Sequence, residues 1–194
     1  KTADPAAKAA KEAEAVAARE KANDLFYQAL ALKDDNTTLE DVNTVRYYLC
    51  YLAYTENRLY DAAVIGEFLL KFYPNSGGAR QAAQIALAAY VTEYQGANGA
   101  PTGAYDRMKM QQIAAEIAKR WKGEPEADSA WNILLQIAIA EKNKADMLTA
   151  LENIQEESSL RAEAEMKSGR TLWVMYQEQL GLDDAAPGKL NGAE

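Results

Sequence analysis

Apolar residues along this chain recur every three or four positions, and nowhere do they keep the two-residue alternation of a strand. Val42, Val45, Leu49, Leu52 and Ala53 fall on one face of a helix turning about 100° per residue. The same period, read between turn signals, predicts helices at 5–33, 38–56, 59–73, 77–95, 104–121, 125–142, 145–156 and 159–180. Asp4 is placed to cap the first helix, and Pro5 suits its first turn, where an N–H is not needed. Thr37 or Thr38, followed by Glu40 and Asp41, has the form of a helix start. Asn57 tolerates the left-handed conformation that reverses a chain, and Pro74 cannot extend the helix before it. QGANGAPTGA, residues 95–104, reads as an exposed loop. The segment 1–22 is rich in alanine and charge, and is expected to be exposed or frayed. The tail GLDDAAPGKLNGAE, residues 181–194, is expected to be disordered. Helices joined by short turns pack against their sequence neighbours, so the expected class is all-α, built of antiparallel helical hairpins.

The pattern also repeats. At an offset of 48 residues, Lys71 aligns with Lys119, Tyr73 with Trp121, Ala79 with Ala127, Ala82 with Ala130, Ile85 with Ile133 and Leu87 with Leu135. Each copy is a helix end, an aromatic residue, a turn, and a new helix with alanine at its packing points. SSLRAEAEMKSGRTLW, residues 158–173, is a weaker third copy. Such self-similarity is the mark of stacked helical hairpins.

Tyrosine is concentrated in one place. Tyr47, Tyr48, Tyr51, Tyr54 and Tyr60 are five of the chain's 11. Tyr47, Tyr51 and Tyr54 share the face opposite the apolar one. They either line a surface that touches something or pack on the long first helix. Tyr48 and Tyr60 are expected to pack, and Cys50 to fill a close contact.

Leu49 followed by the small Cys50, Asn57 at the turn, then Leu59, Ala62 and the closing Pro74 resemble a tetratricopeptide repeat over residues 43–76, a helix–turn–helix of 34 residues. Arg46 and Ala53 stand where that motif has bulky aromatics, and Gly66 where it has a large residue. The style of FLLKFYPNSGGA is similar to repeats of bacterial cell-envelope proteins, which leans toward an exported, periplasmic protein. The resemblance of repeat type extends over roughly residues 38–180, and residues 1–180 are expected to form one domain, a short α-solenoid of about eight helices. It also implies that Thr44, Tyr47, Tyr51 and Tyr54 face a concave groove. Gln81 and Gln84, then Ser129, Asn132 and Gln136, hold the equivalent positions. Tyrosine supplies rigid contact area, and Gln and Asn can pair with the backbone of an extended peptide. The expected function is a non-enzymatic scaffold for a protein or peptide; the alternative is a structural spacer or self-association module, either a monomer or a weak dimer.

Composition narrows the chemistry. A net charge of −8 disfavours nucleic acid and anionic membranes as partners. No apolar run is long enough to span a bilayer. With no histidine, the usual proton shuttle and the usual metal ligand are both missing, and no metal site or cofactor is expected. The glycines of GANGAPTGA lack the Lys-Ser/Thr that grips a phosphate. Carboxylates such as Asp34 and Asp35, or Glu163 and Glu165, read as turns and solvated faces. Trp121, Trp131 and Trp173 are expected in the core. No catalytic residue is assigned. A start at Lys1 is read as a processed chain or a fragment.

Overall fold

In the computed structural model, which describes residues 5–96 and 104–180, the helical period resolves into α1 (Pro5–Ala31), α2 (Leu39–Thr55), α3 (Leu59–Phe72), α4 (Ala79–Gly96), α5 (Ala104–Arg120), α6 (Pro125–Ala140), α7 (Lys144–Asn153) and α8 (Arg161–Leu180). No strand occurs among the described residues, and the chain is all-α. The Asp4 cap, most of the glycine-rich loop and the 181–194 tail lie outside the described residues.

The helix start at Thr38 is reciprocal. The Thr38 hydroxyl accepts from the Asp41 N–H at 3.1 Å, and the Asp41 carboxylate accepts from the Thr38 N–H at 3.0 Å. Several helix boundaries fall short of expectation by two or three residues: the ends of α1, α6 and α7, and the starts of α4 and α8. α4 begins at Ala79 because residues 73–79 form tight turns, with Ser76 N–H on Tyr73 and Ala79 N–H on Ser76, and Gly78 at φ 80°. α7 ends at Asn153 because Ile154 turns extended and buries its side chain.

The chain divides into two compact units, Lys1–Ile113 and Ala114–Glu194. In the first, α2 and α3 form a hairpin, α4 packs on both, and α1 packs on α2. Its core holds Cys50, Ala53, Ala62, Leu69, Ala79 and Ala82. In the second, α6 and α7 form a hairpin and α8 packs on both, around Leu135, Ala138, Met147, Ala150, Ile154 and Ala164.

These two cores are one pattern used twice. At an offset of 85 residues, Ala53 aligns with Ala138, Ala62 with Met147, Leu69 with Ile154 and Ala79 with Ala164, all of them core residues. The hairpin turns match as well. Asn57 (φ 59°) and Lys142 (φ 53°) are the only described non-glycine residues with positive φ. At the first turn Arg58 N–H bonds to Ala53 C=O and Asn57 N–H to Tyr54 C=O; at the second Asn143 bonds to Ala138 and Lys142 to Ile139. That pair of bonds satisfies the last carbonyls of a helix and reverses the chain.

The departures from the tetratricopeptide pattern have local causes. A Cβ on Gly66 would lie 2.8 Å from the Ala86 Cβ and inside contact distance of the Ala82 carbonyl, so α3 and α4 touch backbone to backbone there. The Arg46 guanidinium lies over the rings of Phe68, at 4.8 Å, and Tyr73, at 5.6 Å, and donates to Asn43 at 2.8 Å. It fills an aromatic's place by stacking on aromatics.

Candidate functional site

The helical register that puts Val42, Leu49, Leu52 and Ala53 in the core turns the tyrosines elsewhere, and they separate. Tyr47 and Tyr54 are half-buried against the α2–α3–α4 core. The Tyr47 ring also covers Gly78, where a Cβ would come within 2.6 Å of it. Tyr51, between them, is 50% exposed and makes no ring contact of its own among the described residues. Tyr48 is the tyrosine that meets α1. It stacks on Phe26 with centroids 5.3 Å apart and planes 7° from parallel.

On α4, Gln81 is exposed and Gln84 half-buried. Since α2 and α4 pack directly, the Tyr47–Tyr51–Tyr54 line and the two glutamines belong to one unit. Asn132 and Gln136 lie on α6 in the other unit, half-buried and in mutual reach, with Gln136 Nε2 donating to Asn132 Oδ1 at 3.4 Å.

A polar cluster that the sequence pattern did not reveal ties α5 to α3. Lys109 donates to both Glu67 carboxylate oxygens, at 2.8 and 3.0 Å, and the Tyr60 hydroxyl donates to Asp106 at 3.1 Å. Tyr90 sits in this cluster almost fully buried, edge-on to Tyr60 and to Tyr105, each 6.3 Å away. Partners 42 and 46 residues apart in different helices leave no periodic signal. Every charged group here has a partner from the chain itself, which makes the cluster a tether.

Its chemistry predicts an alkaline transition. Burial, the Glu67 charge and the Tyr105 hydroxyl raise the Tyr90 phenol. Burial and Asp106 raise Tyr60, and the bond to Glu67 raises Lys109. All three folded values lie above the usual ones of 10.0 for Tyr and 10.5 for Lys. The stability they confer is complete below pH 10 and is lost as pH climbs through the folded values. Tyrosinate absorbance followed with circular dichroism should show Tyr90 ionising only as the helices melt. Smooth titration of all tyrosines before any loss of helix would contradict this.

Other candidates resolve into structure. Cys50 is buried, its Sγ donates to the Ala62 carbonyl at 3.3 Å, and burial pushes its pKa up to about 12, so it is not a nucleophile. Asp34 accepts from Asn36 N–H at 3.0 Å and Thr37 N–H at 3.1 Å, shaping the turn between α1 and α2. The shallow cleft beside that turn, lined by Leu30, Asp34, Thr37 and Asp41, has its polar groups committed to these caps. No group of metal-ligating side chains occurs among the described residues, and no described helix is long and apolar enough to cross a membrane.

The chain matches no protein-family model, no curated protein and no solved structure. Any functional reading therefore rests on the surface itself.

That surface holds a second aromatic feature. Trp121 is buried and Trp131 packs on the second core, as expected, but Trp173 is 61% exposed. The expectation of a core residue fails because Ala164, Ser168 and Leu172 supply the packed face of α8, and Trp173 lies on the opposite side. It contacts Tyr176 at 5.8 Å between centroids.

Proposed function

We propose that the protein is a non-enzymatic scaffold of tetratricopeptide-like repeats that holds an extended protein segment. The observation that carries this reading is Tyr51, a large ring left half in solvent between two tyrosines pinned by the core. A rigid aromatic anchor costs little conformational entropy on binding and is the kind of residue that dominates interfaces. Gln81 and Gln84 on the adjoining α4 add donors and acceptors for a peptide backbone, and Asn132 and Gln136 offer the same chemistry separately on α6 of the second unit.

Photo-crosslinking tests it. Benzoyl-phenylalanine at position 51 should capture a discrete partner from lysate of the source organism, while the same probe at exposed Val64 on α3 should not. Identical patterns from both positions, or crosslinks confined to the chain itself, would remove Tyr51 as an anchor. A second reading, self-association, is favoured by the exposed apolar side of α8.

A further inference from the structure

The exposed side of α8 is ordered by sequence. Ala162, Met166, Gly169, Trp173, Tyr176 and Leu180 follow one another at spacings of four and three residues, and all six are exposed. At about 100° per residue they fall within an arc of about 80°, a heptad stripe opposite the buried Ala164 and Ser168. Most of the charged residues of α8 are paired, Lys167 with Glu163, Arg161 with Glu165 and Glu178 with Lys142. The stripe itself carries no charge.

Gly169 supplies the second observation. An exposed glycine inside a helix costs about 1 kcal/mol relative to alanine. Its own fold does not require it: φ is not positive, and a Cβ there would meet nothing within 4 Å. The missing side chain leaves room on this face for something that approaches from outside.

We infer that α8 pairs with α8 of a second copy of this chain, antiparallel, about a two-fold axis at residue 171. In that register Trp173 of one copy lies over Gly169 of the other, Met166 over Tyr176, and Ala162 over Leu180. Each layer sets a large residue against a small one, or a thioether against a ring, and all layers are repeated by the symmetry. The glycine is the hole for the indole. Six side chains from each copy bury on the order of 1,000 Å² in total, at the low end for a specific interface, so the dimer is weak. This site is separate from Tyr51, and either proposal stands if the other fails.

Light scattering and sedimentation equilibrium on the full chain should show a monomer passing to a dimer over a micromolar range. Trp173→Glu, and Gly169→Leu, which fills the hole, should each hold it monomeric with unchanged helicity. Mixing Met166→Cys with Tyr176→Cys protein should give a mixed disulfide far faster than either forms alone; Cys50 is buried and does not compete. A monomer at every concentration, a dimer indifferent to both Trp173→Glu and Gly169→Leu, or preferential Met166→Cys self-crosslinking would overturn the proposal.

Discussion

Gly66→Ala should destabilise the first unit by about 3 kcal/mol, against the helix-forming trend of about 1 kcal/mol in alanine's favour. The added methyl would meet the Ala82 carbonyl, which is backbone and cannot rotate away, and the Ala86 Cβ at 2.8 Å. α3 and α4 must then move apart. Leu69, Leu70, Ala82 and Ala86 are wholly buried and would lose contacts together. Urea denaturation measures the loss as a lower midpoint. Gly169→Ala is the internal control: nothing surrounds that position, and at concentrations where the chain is monomeric the same change should raise stability. A neutral Gly66→Ala would mean that α3 and α4 are further apart than described.

Lys109→Met should cost about 2–3 kcal/mol, somewhat below the full penalty for orphaning a buried charge, because a solvated edge remains. The side chains of Lys109 and Glu67 are 15% and 12% exposed, so little water is available to replace the partner. Lys71, at 3.5 Å from Glu67, would take over part of the role. Pairing Lys109→Met with Glu67→Gln should restore most of the loss, since the uncompensated charge is then gone. A double-mutant cycle by chemical denaturation reads this as a coupling well outside error. Simple additivity would show that the two groups do not interact and that α5 is held by other contacts.

The fold was legible wherever a residue acts locally. The three-to-four period placed the helices, Thr37 or Thr38 with Glu40 and Asp41 announced a cap that falls on Thr38 and Asp41, and Asn57 announced its left-handed turn. Lys142 adopts the same conformation at the matching turn, yet lysine carries no such preference, so only the tertiary fold reveals it. The alanines at 79, 82, 127 and 130, aligned by the repeat, are all buried. The candidate surface was less legible. A helical wheel assigns faces, but which face a neighbour covers depends on helices far away in sequence. That is why Tyr47, Tyr51 and Tyr54 share a face but not a burial. The α8 stripe had a readable signal, the spacing of Met166, Gly169, Trp173 and Tyr176, but a buried helix face carries the same spacing.

The division after Ile113 bears on how the chain is made. Contacts in the first unit join α1 to α2, α2 to α3 and α3 to α4, so few of them wait on distant sequence. Local contacts of this kind form in microseconds to milliseconds. Synthesis at about 5–20 residues per second needs several seconds to cover the remaining 114–194. The alanine seam between α3 and α4 would therefore close while α8 is still being translated. A nascent chain halted within α7 should already protect the first unit from protease.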